Sequence, residues 1–290
     1  MIVKALLRKL IGSSSTEKIE VASSSPIQDT PVQPVQPVFN FKGYDIPIDL
    51  MAMTGGGPDT FVEISDSHQA NLKKWIDIQP HHNVLEIGCG IGRDAIPLSE
   101  YLTTGSYAGV DIIGRSIDWC RNNIGARHRN FQFIHYNVED QLHNSAGDTK
   151  TADIVLPLAD KSIDRIFLFS VFTHLYQADV EHYLREFRRV LKDDGLVYAT
   201  TFIYDDAILE SARRTNLTIF DLRFEHEISP GCRINNFDVP LGAVAFTDEV
   251  WGQMLASSGM ALTNRLYGAW SGLHSNPAEG QDVMILGKAS

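Results

Sequence analysis

Three glycines at alternate positions, Gly88, Gly90 and Gly92, close the apolar run Val84-Leu-Glu-Ile87. Nineteen positions beyond Gly92 (111 − 92) stands Asp111, at the end of a second apolar run that begins at Tyr107. A glycine turn at a strand's end lets a ligand lie against bare backbone. An acid at the tip of the neighbouring strand can take both hydroxyls of a ribose. Together they point to a nucleoside-containing ligand.

The spacing narrows which one. Dinucleotide sites carry G-x-G-x-x-G, with pyrophosphate resting on a helix N-terminus. This chain has G-x-G-x-G instead, and Glu86 sits two residues before the first glycine. A carboxylate there repels pyrophosphate but accepts a hydrogen bond from an ammonium or a hydroxyl. S-adenosylmethionine, with a ribose, an adenine, an amino-acid tail, a sulfonium and no phosphate, fits such a turn. An NAD-dependent oxidoreductase fits it less well. Two readings without methyl transfer stay open: a turn that only packs, and a protein that keeps the fold without turnover.

The stretch resembles motif I of class I S-adenosylmethionine-dependent methyltransferases. The resemblance continues through Asp111, Asn137-Val138, Ser170 and a long helix at 178–191. It implies an α/β, Rossmann-like fold with a mainly parallel seven-stranded sheet and an antiparallel last strand. On this resemblance Gly88, Gly90 and Gly92 admit the methionine part of the cofactor, with Glu86 just beneath. Asp111 takes the ribose hydroxyls, and Ile112 flanks the adenine. Asn137 stands where the family usually has Asp, and its carbonyl oxygen still accepts from the adenine amino group. Val138 offers its backbone N–H to the adenine, and Ser170 borders the sulfonium. Arg93 either pairs with the cofactor carboxylate or points into solvent.

Methyl transfer is an in-line displacement at a carbon activated by a positive sulfur, so the enzyme chiefly aligns the acceptor and excludes water. A hydroxyl acceptor also gains from a base. His174 follows the strand at 163–170 closely enough to serve as the catalytic base, and a histidine that pins the loop is the alternative. No Asp and Glu cluster suggests a metal site, so no metal is expected. The segment Tyr267-Gly-Ala-Trp-Ser-Gly272 with Gln281-Asp282 is similar to the C-terminal part of methyltransferases associated with surface-polysaccharide synthesis. Trp270 there suits stacking on a sugar ring, unless it is core. The acceptor expected is a small molecule or a glycan.

The elements that must position these residues follow from hydrophobic period. Strands are expected at 83–88, 107–112, 131–136, 163–170 and from 196, with two more at 261–270 and 282–287. Helices are expected at 65–77, capped by Ser65 or Asp66, and at 93–102, 116–124, 178–191 and 247–259. Gly195 reads as the stop of the helix at 178–191, and Thr247 as the cap of the last one. Insertions at 141–152 and 204–246 are expected to shape the acceptor pocket, the second with a hairpin at Pro230-Gly231. Residues 51–60, with three glycines, read as a flap or a plain turn.

Composition bounds the rest. A chain of 290 residues with 43% apolar content can bury one large core, here 41–290. A net charge of −11 repels phosphate backbones, so no nucleic-acid partner is expected. Cys89, Cys120 and Cys232 show no pairing or zinc spacing, and no run is long enough for a membrane span, which suits a cytoplasmic protein. Residues 1–12 form a short basic amphipathic segment, and 13–40 a Ser/Pro-rich linker. Together they suggest weak peripheral contact with a membrane surface.

Overall fold

The computed structural model describes residues 36–140, 144–218 and 220–289. The basic segment at 1–12, most of the 13–40 linker and part of the 141–152 loop lie outside the described residues. A hairpin, β1 (Val38–Phe41) and β2 (Tyr44–Pro47), leads into helix α1 (Pro58–Ile76). Then β3 (Asn83–Ile87), α2 (Ala95–Tyr101), β4 (Ser106–Asp111), α3 (Gly114–Cys120), β5 (Phe131–His135), β6 (Ile163–Leu168), α4 (Gln177–Val190) and β7 (Leu191–Thr201) alternate. After them come α5 (Asp206–Thr215), the short strands β8 (His226–Ser229), β9 (Cys232–Ile234) and β10 (Val244–Phe246), α6 (Asp248–Ser258), β11 (Met260–Leu266) and β12 (Asp282–Lys288).

The main sheet runs β11-β12-β7-β6-β3-β4-β5. The pairs β3–β4, β3–β6, β4–β5 and β6–β7 are parallel, and β12 is antiparallel to both its neighbours. This is the expected seven-stranded sheet with its antiparallel last strand. Parallel strands covered on both faces read as continuous apolar runs, and Ile166, Phe167 and Leu168 of β6 are wholly buried. Helix α4 buries Val180, Tyr183, Leu184, Phe187 and Val190, a stripe at helical spacing. Each such burial is worth about 1.5–3 kcal/mol.

Two expected helix boundaries move. Helix α1 begins at Pro58, not at Ser65 or Asp66, because Gly57 is its N-cap and a proline suits the first helical position. Ser65 lies mid-helix, with its hydroxyl on the Arg93 carbonyl at 3.1 Å. Gly195 does not stop α4: Leu191 is already extended and pairs with Ile163, so 192–195 is an irregularity inside β7. The insertion after β7 also holds an unforeseen helix, α5, capped by Asp205. Its hairpin does turn at Pro230-Gly231, between β8 and β9. Thr247 caps α6, and Gly259 ends it in the left-handed conformation.

Trp270 is core. It is 3% exposed and packs on Phe202 and Phe224 at 5.3 and 5.4 Å between ring centroids. Its indole N–H donates to Asp282 Oδ2 at 2.8 Å, so it is not a stacking platform for a sugar. The buried Asp282 carboxylate also accepts from the backbone N–H of Ile203 and of Gly268, tying the start of the insertion to the first residue of β12. Asp282→Ala is expected to strand three buried donors and lower stability by at least about 3 kcal/mol, measured as a shift in the urea unfolding midpoint.

Candidate functional site

The turn after β3 is shaped by the strand beside it. The N–H groups of Gly88 and Cys89 both donate to the Val110 carbonyl, at 2.8 and 3.0 Å. Asp111 Oδ2 accepts from the Gly90 N–H at 2.6 Å, and Oδ1 accepts from the Ile113 N–H at 2.8 Å. Gly90 has φ 51, a conformation that side chains adopt reluctantly. A Cβ on it would lie 2.1 Å from Thr54 Cγ2.

A cavity of about 500 Å³ opens over this turn. Glu86, Gly88, Gly90, Asp111, Ile112 and Val138 line it, and so do Ser170 and His174. Two expected site residues do not. Gly92 turns its bare face to the Ile124 and Cys120 side chains, so its lack of a Cβ serves packing of the following helices. Asn137 accepts from the Asn144 side-chain amide at 2.9 Å and stands outside the cavity lining. Ser170 has φ 56, a strained geometry for a residue with a side chain. Its N–H is held by the Thr200 hydroxyl at 2.7 Å, and its own hydroxyl donates to Gln281 at 3.2 Å. His174 meets the Leu241 carbonyl through Nδ1 at 2.8 Å, joining the insertion to the cavity wall.

Sequence reasoning missed one pair. His68 Nδ1 lies 2.8 Å from Asp94 Oδ2, and both residues are buried and line the cavity. The signal was present: Phe61, Ser65, His68, Leu72 and Ile76 make a helical stripe. Starting the helix at Ser65 hid it. The segment at 51–60 also contributes, because Met53, Thr54 and Gly55 line the cavity and Arg93 donates to the Thr54 carbonyl at 3.2 Å.

The electrostatics beneath the turn are set by burial. Burial first, then repulsion from Asp94, pushes the Glu86 carboxyl well above its ordinary range, against the hydrogen bond that the Tyr107 hydroxyl donates to it. Burial likewise raises the Cys89 and Cys120 thiols. Among the described residues, no group of three His, Cys, Asp or Glu side chains is placed to hold a metal ion.

A family profile described as "Methyltransferase domain" matches residues 85–199, from within β3 to within β7. Residues 85–199 match a methyltransferase domain. The sheet order and the antiparallel last strand make the fold that of class I methyltransferases, and S-adenosylmethionine is the cofactor of such a domain. Methyltransferase GfsG of Streptomyces halstedii is 25% identical over 137 residues, 47% of this chain and 44% of that protein. A fatty-acid O-methyltransferase of Mycolicibacterium smegmatis is 32% identical over 164 residues, 52% of this chain and 49% of that protein. The 23S rRNA (uracil(1939)-C(5))-methyltransferase RlmD of Vibrio parahaemolyticus is 25% identical over 125 residues, 41% of this chain and 26% of that protein. The chain thus spans less than half the length of each of these relatives. In fold it is similar to a solved putative S-adenosylmethionine-dependent methyltransferase of Methanococcus maripaludis, with TM-score 0.52 and 17% identity over 83% of this chain and 92% of the other.

The turn offers the cofactor the backbone of Gly88 and Gly90, which line the cavity while Val171 and Thr54 crowd the places where a Cβ would stand. Asp111, held by the Gly90 and Ile113 N–H groups, lines the cavity with a carboxylate, the group type that accepts from ribose hydroxyls. Arg93 has a buried Nε without a hydrogen-bond partner among the described residues, 4.0 Å from Asp94 Oδ2, and its guanidinium also lines the cavity, where it suits an incoming carboxylate. These features fit the cofactor.

The sign of the Glu86 shift makes stability depend on pH. Its folded pKa lies above the ordinary 4.5, so the folded chain holds that proton more tightly than the unfolded one. Its contribution is complete below about pH 4.5 and is lost as pH rises through the folded value. Glu86→Gln is expected to flatten that decline in urea midpoints taken from about pH 4 to 8. An unchanged slope would show that Glu86 titrates normally.

Proposed function

We propose that the chain methylates an oxygen of a small molecule, sugars included, with S-adenosylmethionine as donor. The observation that carries this reading is the bare turn at Gly88 and Gly90 opening into a cavity that also reaches Ser170 and His174. The bound cofactor supplies a methyl group on a positively charged sulfur. What the chain supplies is alignment and exclusion of water. Asp111, Ile112 and Val138 line the part of the cavity that suits the nucleoside. Ser170, fixed by Thr200 and Gln281, stands where the methyl group would be presented. His174 ties the turn at 240–242 to the wall, and in this reading holds the insertion over the acceptor.

The charge of the cavity favours an uncharged acceptor. Glu139, Asp140, Asp179 and Glu279 line it, and among the described residues Arg93 is the only arginine or lysine in its lining. A phosphate backbone or a free carboxylate meets repulsion there. By this charge, neither the relative named for ribosomal RNA nor the one named for fatty acids gives the acceptor of this chain. The buried Trp270 removes the reason to single out a glycan.

The first test is binding. Calorimetry with S-adenosylmethionine and S-adenosylhomocysteine should show saturable binding, weakened roughly 10- to 100-fold in Asp111→Ala. Binding of NADH without affinity for either compound would overturn the reading.

A further inference from the structure

The buried stripe of α1 places a histidine where a leucine would pack. Burying an imidazole there carries a desolvation cost unless its nitrogens are used. Nδ1 meets Asp94 Oδ2 at 2.8 Å, and Gln69 donates to the other Asp94 oxygen at 3.3 Å. Phe169 covers one face of the ring, with centroids 3.4 Å apart and planes 4° from parallel. The ring is therefore held in position and in plane. Nε2 makes no hydrogen bond among the described residues, and it is not sealed from solvent, since the ring lines the cavity. With the proton on Nδ1 directed at a carboxylate, Nε2 carries a lone pair. Phe169 immediately precedes Ser170, the strained residue just beyond β6, and His68, Phe169 and Ser170 all line the same cavity.

We propose that His68 is the general base of the methyl transfer, and Asp94 the residue that positions it. The inference rests on the methyl-transfer reading and deepens it, because a buried base calls for an acceptor that must lose a proton: an alcohol or a phenol, not a carboxylate. The acceptor oxygen forms the new bond to the methyl carbon as the carbon–sulfur bond breaks, and that bond's electron pair stays on sulfur. The hydroxyl proton passes to His68 Nε2. Asp94 balances the imidazolium that results, as a buried carboxylate does for any histidine base held this way. His174 belongs to the cap, through Leu241.

The test uses the full chain, with His68→Gln and Asp94→Asn. Nitrogen-15 imidazole spectra with S-adenosylhomocysteine bound should show neutral His68 protonated at Nδ1 in the wild type, and a redistributed proton in Asp94→Asn. Neutral wild-type His68 protonated at Nε2 overturns the proposal. Calorimetry should find affinity for S-adenosylhomocysteine within about threefold of wild type in His68→Gln, whereas a loss of about tenfold or more makes the pair a cofactor clamp and overturns it. Release of S-adenosylhomocysteine with a set holding a phenol, a primary alcohol, a hexose and a fatty acid should fall about 10²–10⁴-fold in His68→Gln for the hydroxyl acceptors. Undiminished turnover overturns the proposal, as does a wild type that binds the cofactor yet methylates only the carboxylate or nothing in the set. A wild type that binds no cofactor at all sinks the methyl-transfer reading itself.

Discussion

The site depends on how Asp111 satisfies its carboxylate. It sits at the carboxyl end of β4, 7% exposed, and its two oxygens take the N–H groups of Gly90 and Ile113. A carboxylate buried without such donors would be expelled or protonated. With them, it fixes the crest of the glycine turn on one side and the start of α3 on the other. The parallel pairing of β3 with β4 brings the two strand ends level, and the Val110 carbonyl takes the first two N–H groups of the turn. Turn, acid and cavity floor thus form one hydrogen-bonded unit.

A second layer braces that unit from the N-terminal side. Ser65, His68 and Gln69 of α1 all reach the short stretch Arg93-Asp94 that follows the turn. Arg93 in turn holds the Thr54 carbonyl, which brings the segment before α1 onto Gly90. Charge is managed by proximity: Glu86 and Asp94 repel each other, which helps to raise the Glu86 pKa, while Asp94 has an imidazole and an amide to meet it. Breaking one partner of such a buried set leaves the other uncompensated, so α1 and the turn stand or fall together.

Much of this was legible in residue order. The alternation of apolar runs with helical stripes, the G-x-G-x-G spacing and Asp111 led to the sheet and to eight of the residues lining the cavity. The errors have physical causes. Gly92 follows the same spacing as its neighbours, but whether a glycine faces a ligand or a helix is decided by what packs on it, here Ile124. Asn137 has a local partner, Asn144, that a linear pattern does not show. Trp270 beside polar residues looked available, yet Asp282, twelve positions on, satisfies its indole N–H and lets the ring be buried. The helix start was misplaced because Ser65 and Asp66 suit a cap, while Gly57-Pro58 competes for it further upstream.

By itself, then, the sequence determined the secondary-structure alternation, the glycine turn after β3 and the acid at the end of β4 beside it, because these depend on spacing within a few residues and on one strand-to-strand step. Only the tertiary structure decided which glycines face the cavity, that Trp270 is core, and that His68 on α1 meets Asp94 beyond β3. Those pairings join residues that are far apart along the chain or that face one another across packed elements. Their geometry follows from how helices and strands pack, which no local pattern encodes.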